Sequence, residues 1–582
     1  MKTFLLNRRN LWAFSLLLTL FAGCDWEQIK GIPDRLSDEL RFAVALPAPA
    51  TSFSIQFVDA KTGQTITNAK IDVTLEGDQK SDLMDPIFYE PITEVSTDVG
   101  VVQLAVRDAI VPSNTKPVRF NVMASANGYL RTGKSIVANQ KGQYNETLEM
   151  VKLEAPPEGT AVAADKPAGS TDNSGKTTST VTISTPPESD TQVVASVTIP
   201  QGSVIKDGNG QPLQGALQAT VVYHSNQSDD ALGAFPGGLN NIPVQLQNGS
   251  DQDGNFVSGG FVSIQIKDQS GRSASTFSDP LVIKLSIPKD TINPLTNQPI
   301  KAGDTVPLWS YNEETGEWKE EGTGVYQKTG GSAYLPGKGF VLGKADQNGN
   351  FPITFHASHL SYWNMDWFNG GCSWDAPLTL NIQNKPAGLS IRYEITRTQG
   401  GGYVKTVWGD PDNTIYLYRQ PNFPLTITAY ADDTIVGSLG VTNPCGATLN
   451  FPLNVQDQFL TVDFVGKAVC SAEKREIWYS GYIYIWDTNV PNSTQYIYAE
   501  NGHANTSIRW NHTYSASTYY YDKSASQYKQ VTVRFKAEKV GTAAKITVTD
   551  GVTSEVYTSE VVDGKASFTA SFTDIKEICD AL

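Results

Sequence analysis

The chain has 582 residues, 18% of them charged, with 49 Gly, 31 Pro, 10% aromatics and 5 each of Met and His. At roughly 150 residues per domain this is about four domains, each long enough to bury its own core. With 45 Lys+Arg against 60 Asp+Glu the formal charge is −15, which repels phosphate backbones and argues against nucleic acid as a partner. The low charge fraction and the wealth of Gly, Thr, Tyr and Val argue against a long helical body.

Residues 1–24 carry Lys2, Arg8 and Arg9, then the apolar run Leu11 to Phe21, then Ala22, Gly23 and Cys24. A basic segment, an apolar stretch of about eleven residues and small residues before a cleavage point form an export signal. The stretch is too short to cross a bilayer of about 30 Å as a mature helix. The arrangement resembles the lipobox of bacterial lipoproteins, with Phe21 standing where Leu is usual. That resemblance implies removal of residues 1–23, acylation of Cys24 and a membrane held as partner through the lipid. An ordinary secretory signal with an incidental Cys24 is the alternative.

Removing Cys24 from the five cysteines leaves Cys372, Cys445, Cys470 and Cys579. An even remainder in an exported chain suggests two disulfides, with three pairings open. Pairing Cys372 with Cys445 and Cys470 with Cys579 would place one bridge in each of two compact segments. Each would stabilise by roughly 4–5 kcal/mol on the chain-entropy model. No CxxC spacing or neighbouring His favours zinc.

Residues 24–50 read as a tether, with a short helix expected around Asp34–Phe42 and a Pro/Ala stretch from Leu46 to Ala50. From residue 51 to 155 the period is two: Phe53, Ile55 and Phe57; Ile71, Val73 and Leu75; Val101 to Leu104; Phe120, Val122 and Ala124. Such alternation predicts antiparallel strands with one buried face. The segments Val58 to Ala69, Thr97 to Val101 and Val122 to Tyr129 resemble the carboxypeptidase regulatory-like domain. This is a small transthyretin-like β-sandwich with no catalytic residues of its own. Its hairpins would turn at Thr62-Gly63 and Asn127-Gly128.

Residues 156–190, rich in Pro, Thr, Ser, Gly and Lys, are expected to form a linker, with Val181-Thr182-Ile183 able to add as an edge strand. Residues 191–368 hold Val197 to Pro200, Asp207-Gly208-Asn209-Gly210, Phe235 to Gly238, Leu308 to Tyr311, Glu314 to Trp318 and His359 to Asn364. That succession resembles the extracellular β-sandwich region of cartilage intermediate layer proteins, which implies a non-enzymatic ectodomain. Trp309 and Trp318 would flank a hairpin turned by Thr315-Gly316 and plug the core.

Two more β-sandwich modules are expected at residues 369–456 and 457–582. The first alternates at Leu378, Leu380 and Ile382, at Leu389, Ile391, Tyr393 and Ile395, and at Leu425 and Ile427. The second alternates at Phe459, Thr461 and Asp463, at Val531, Val533 and Phe535, and at Ile546 and Val548, with turns at Asp550-Gly551 and Asp563-Gly564. The fold class is therefore all-β: serial Ig- or transthyretin-like β-sandwich modules on a lipid-anchored tether, the terminal module farthest from the membrane.

Few constellations carry chemistry. His356 and His359 lie on an alternating segment, where positions three apart face opposite sides and one metal cannot easily take both. Asp251, Asp253 and Asn255 offer alternating oxygen ligands like the start of a calcium loop, as does the near copy Asp346 to Asn350. Their Gly is fourth and no bidentate Glu follows, so a hairpin turn competes with the metal. No GxSxG, HExxH, Walker A or GxGxxG motif occurs, so no cofactor is implied, and the chain reads as non-catalytic. A spatial Ser-His-Asp triad using His224, His356, His359, His503 or His512 is not legible in linear order.

The remaining signal is aromatic. Tyr482, Tyr484 and Trp486 share one strand face while Ile483 and Ile485 take the other; Tyr496 and Tyr498 flank Ile497 likewise. If the Ile face is core, the Tyr/Trp face meets either another module or a glycan or protein ligand. Taken whole, the chain resembles surface lipoproteins of Bacteroidota: a non-catalytic binding or scaffolding protein of the cell envelope, most simply at the outer membrane surface. A glycan-binding accessory protein is the alternative, and an envelope hydrolase the third.

Overall fold

The structure, a computed structural model, describes residues 42–45 and 48–573, except 88, 313–314, 323–332, 336–338, 387–388, 390, 399–402, 409–412, 432–433, 456–458, 471–474, 479, 491–493, 523–526, 550–553 and 563–564. The export signal, Cys24, the helix expected around Asp34, Cys579 and the turns Asp550-Gly551 and Asp563-Gly564 therefore lie outside the described residues. Regular structure is almost all strand. Among the described residues the helices are Asp229–Gly233, capped by the Ser228 side chain accepting from the Ala231 amide, and the 3-10 turn Lys80–Asp82. The chain is all-β, a series of β-sandwich modules.

The first module packs Leu83–Met84, Val101–Val106, Thr51–Asp59 and Gly142–Met150 against Glu94–Thr97, Ile71–Glu76, Val118–Ala126 and Thr132–Ala138. Phe53, Ile55 and Phe57 point between the sheets at Ile71, Leu75, Phe120 and Val122, all buried. Gly63 and Gly128 adopt the positive φ their turns demand, 65° and 78°.

The second module begins earlier than expected. Residues 156–190 are no linker: Thr160–Thr171 pairs antiparallel with Gly215–His224, and Val181–Ser184 pairs with Ser196–Ile199 as an edge strand. Ala161, Ala163, Ala168 and Ile183 are buried in the same core as Val221, Tyr223 and Ile264. A segment poor in large apolar residues can thus still be core, because its alanines sit beneath bulky side chains from the facing strands. Trp309 and Trp318 are each 1% exposed on the paired strands Leu308–Asn312 and Glu317–Glu320. They join a cluster that also takes Met123, Leu130 and Val151 from the first module, so they seal a junction between modules.

The third module, residues 372–455, is a small sandwich around Leu380, Ile391, Tyr393, Ile427 and Phe451. It is closed by a Cys372–Cys445 disulfide, with Cα atoms 5.2 Å apart. Cys470, in the terminal module, is also disulfide-bonded.

The terminal module, residues 459–573, packs Phe459–Cys470, His503–Arg509 and Lys565–Thr573 over Gly481–Asp487, Thr513–Asp522, Gln527–Val540 and Ala543–Thr549. Its first strand has the opposite register to the expected one: Leu460 and Val462 are buried in the core. Phe459 instead leans on the core of the third module. The expected outermost position is also overturned. Gln527–Val540 pairs parallel with Glu94–Thr97 through Gln527↔Ser96 and Tyr528↔Thr97, fusing the sheets of the first and last modules into one. Part of the expected tether, Phe42–Ala45, is a strand paired parallel with Arg475–Trp478. The described chain thus begins against the terminal module before it enters the first.

The Cys372–Cys445 bridge closes a 73-residue separation. Replacing both cysteines by Ala is expected to cost about 4 kcal/mol in the third module's unfolding free energy. Calorimetry of the double variant checks this; an unchanged transition refutes it.

Candidate functional site

The face formed by Tyr482, Tyr484, Trp486, Tyr496 and Tyr498 is largely covered by the first module, while Tyr482, Trp486, Tyr496 and Tyr498 also reach the wall of the cleft described below. Ile483 and Ile485 belong to the terminal module's own core, while Tyr482, Tyr484, Tyr519 and Tyr528 are buried with the core of the first module. Trp486, Tyr496 and Tyr498 pack at the edge of the same contact. Their partner is the second face of Thr51–Asp59, where Ser52, Ser54 and Gln56 are buried although they point away from the sandwich core. The Tyr482 hydroxyl donates to the Ser52 carbonyl at 2.8 Å, and Tyr484 bonds the Ser54 hydroxyl. Tyr496 donates to Gln56 Oε1, and Tyr528 donates to the Gln103 carbonyl at 2.5 Å. Burial pushes Tyr482 and Tyr484 well above the usual phenol range, so both stay protonated donors. The inter-module contact expected of this face is therefore present and covers Tyr484, while Tyr482, Trp486, Tyr496 and Tyr498 keep a place on the cleft wall.

Asp251, Asp253 and Asn255 form neither the expected turn nor a calcium loop. The turn lies just before them, with Gly249 at φ 79°, and they begin the strand Asp251–Asp268. Asp253 is the meeting point of three modules. Arg119 of the first donates to both its carboxylate oxygens, at 2.8 and 2.5 Å, and Arg419 of the third donates to its carbonyl. Asn255 is buried, its Oδ1 accepting from the Asn241 amide at 3.1 Å. The Asp253 carboxylate and the Asn255 Oδ1 are thus engaged by protein donors. Among the described residues no group of three or more His, Cys, Asp or Glu is arranged to hold a metal. The copy at 346–350 does turn: Asp346 Oδ1 accepts from the amides of Asn348 and Asn350, each at 2.9 Å.

His356 and His359 lie on Phe351–His359, His359 against Trp363 with ring centroids 4.9 Å apart. His224 is buried and stacked on Phe261 at 4.2 Å; burial draws its pKa down to about 3, so it is neutral.

Between the modules runs a cleft of about 1970 Å³ lined by residues of all four. Three carboxylates from three modules meet there. Glu149 is enclosed at the floor with part of its side chain open to the cleft. Burial pushes it up to about 7, the Lys134 ammonium opposing and Asp230 and Glu394 adding. Asp230 is raised by burial and by the charges of Asp229 and Glu394. Arg392 pairs with Glu394 and lies 4.3 Å from the Tyr430 ring. Lys134 pairs with Glu146 at 2.8 Å.

On the third module's wall of the cleft is an aromatic row. Ile415 and Leu417 of the strand Thr414–Leu417 point into the module's core, so Tyr416 faces outward, with Tyr418 beyond the strand end. Tyr416 is 52% exposed. Its ring centroid is 6.3 Å from that of Tyr418, which is 5.9 Å from that of Trp374. Tyr144 of the first module also lines the cleft and feels Tyr418 electrostatically, its hydroxyl pushed up to about 12 mainly by burial. The sequence reading missed this row. The signal was present in the alternation Ile415-Tyr416-Leu417-Tyr418, the same pattern that drew attention to Tyr482 and Tyr484.

No family model matches the chain, and no curated protein does. Similar solved structures include the minor pilin of Streptococcus agalactiae, at 8% identity, covering 34% of this chain and 94% of that one, TM-score 0.13. The major pilin subunit of Bacillus cereus has 8% identity, 90% and 99% coverage and TM-score 0.12. The pilus backbone of Streptococcus pneumoniae has 11% identity, 54% and 88% coverage and TM-score 0.12. Likeness at this level carries no argument about function.

Two predictions follow from the buried contacts. Ser54→Arg sets an unpaired cation against Tyr484, at a cost of several kcal/mol. Small-angle scattering is expected to show an expanded particle with circular dichroism unchanged; an unexpanded particle refutes the contact. Glu149 titrates near 4.5 when unfolded and about 7 when folded, so the folded state holds the extra proton between these values. Its contribution to stability therefore falls as pH rises through that window and is level outside it. The melting temperature of Glu149→Gln minus that of the parent is expected to rise across the window. A pH-independent difference counts against the enclosed carboxyl.

Proposed function

We propose that this chain is a non-catalytic, lipid-anchored protein of the cell envelope that binds a partner in the cleft closed by its four modules. The observation behind this reading is the cleft itself: one concavity to which every module contributes side chains. Residues that line a shared cavity from four separate cores are held in fixed relation, as recognition requires. The lipobox-like segment ending in Cys24 supports the anchor and a place on the outer membrane or cell surface. The likenesses to the carboxypeptidase regulatory-like domain and to the cartilage intermediate layer protein region support an ectodomain of binding modules. A glycan-binding accessory role is the second reading, favoured by the row Trp374, Tyr418 and Tyr416 on the cleft wall.

Labelled palmitate fed to expressing cells is expected to enter the parent and not Cys24→Ala, and the variant to leave the membrane fraction; equal labelling removes the anchor. The purified mature chain, applied to arrays of envelope and host-surface glycans and proteins, is expected to retain a ligand that mass spectrometry recovers intact. Retention of nothing, or recovery of a cleaved ligand, overturns the non-catalytic binding reading.

A further inference from the structure

We propose that Trp374, Tyr418 and Tyr416 form a stacking platform for a neutral oligosaccharide entering the cleft. This deepens the binding role proposed above and rests on it.

The platform is braced. Trp374 follows Cys372, which is bridged to Cys445 and whose amide donates to the Gln420 carbonyl at 2.8 Å. Arg419 returns a bond to the Cys372 carbonyl at 3.3 Å and lies 5.9 Å from the Trp374 ring. The two short segments carrying the rings are thus tied by a disulfide at one end and hydrogen bonds across, and they hold their geometry without a ligand. Rings so fixed lose little entropy on binding.

The geometry selects the ligand class. Neighbouring ring planes tilt by 42° between Trp374 and Tyr418 and by 30° between Tyr418 and Tyr416. Such a row follows a turning chain of puckered rings better than one flat heterocycle. Centroid steps of 5.9 and 6.3 Å are on the scale of one sugar ring. Elsewhere the cleft lining is polar, with Glu149, Asp230, Glu394 and Arg392 among its residues. A lipid or apolar peptide would take water from these polar groups without offering them hydrogen bonds in return, a loss of about 1–3 kcal/mol for each one left unsatisfied. The acidic cluster and the overall charge of −15 disfavour a phosphorylated or polyanionic ligand. A neutral sugar chain offers both surfaces needed: C–H faces for the rings and hydroxyls for the carboxylates and guanidinium.

Neutral hexaoses with different linkages (cello-, xylo-, manno- and maltohexaose) titrated into the mature chain provide the test, read by calorimetry and tryptophan fluorescence. At least one is expected to bind, with its affinity lowered tenfold or more in Tyr416→Ala and in Trp374→Ala. Leu295→Ala, at an exposed residue outside the cleft, is expected to bind as the parent does. Melting curves of the ring variants matching the parent's keep a loss of binding from being read as unfolding. Tyr418→Phe, which keeps the ring, is expected to retain binding that Tyr418→Ala loses. Binding of every hexaose undiminished in the ring variants, or binding of none while a protein on the arrays is retained, overturns the platform and leaves the wider binding role standing. Retention of no ligand of either kind overturns both.

Discussion

The closed arrangement depends on one strand being buried on both faces. Thr51–Asp59 alternates Phe53, Ile55 and Phe57 with Ser52, Ser54 and Gln56, and nearly the whole strand is inaccessible. The apolar set is satisfied within the first module. The polar set is tolerable in a dry environment only if each group finds a partner, since a buried unpaired hydroxyl or amide costs about 1–3 kcal/mol. Tyrosine suits that task, with enough ring area to exclude water and a hydroxyl at the tip to meet a polar group. Three tyrosines of the terminal module reach three successive residues of that outer strand face, and Tyr528 reaches the neighbouring strand at Gln103. The match is of position as well as chemistry: a slip of one residue would set phenols against phenylalanines.

Several later features follow from that contact. Because the first and last modules share a sheet, the middle two are confined to an arc, and the concavity of the arc is the cleft. Arg119, Asp253 and Arg419 pin the arc where the first three modules meet. The Trp309–Trp318 cluster seals the first module to the second with apolar area. Phe459 does the same between the third module and the last. The contacts thus differ in kind: hydroxyl-rich where strand faces meet, ionic at the three-way corner and aromatic along the flanks.

Much of the local structure was legible in residue order, because period-two alternation and Asx-Gly turns report on neighbours a few positions away. The strands at Phe53, Ile71, Phe120, Leu378 and Phe535 formed as that pattern implies, and the Ile483/Ile485 face became core. What the pattern could not reveal is which surface another module covers. Ser52, Ser54 and Gln56 look like a solvent face, and the distinction rests on partners about 430 positions away. Ala161 and Ala163 look like linker because their bulky neighbours lie on other strands. The aromatic row was missed for the converse reason. Tyr416 and Tyr418 carry the same alternation as Tyr482 and Tyr484, and only the packing of modules decides which pair is covered and which is left open.

That contrast bears on how recognition is built here. Two strands present outward tyrosines above an aliphatic core, and the chain uses one as an internal clasp that reaches the cleft and the other as an open cleft wall. Tyr482 donates to the Ser52 carbonyl and Tyr484 bonds the Ser54 hydroxyl, so both hydroxyls are engaged by Thr51–Asp59. Tyr416 faces open space, and its nearest ring neighbour is Tyr418, not a facing module. If the clasp opened, the first and last modules would part, and the cleft that both line would widen. The clasp, whose Tyr482, Trp486, Tyr496 and Tyr498 themselves line the cleft, therefore sets its width from within the wall.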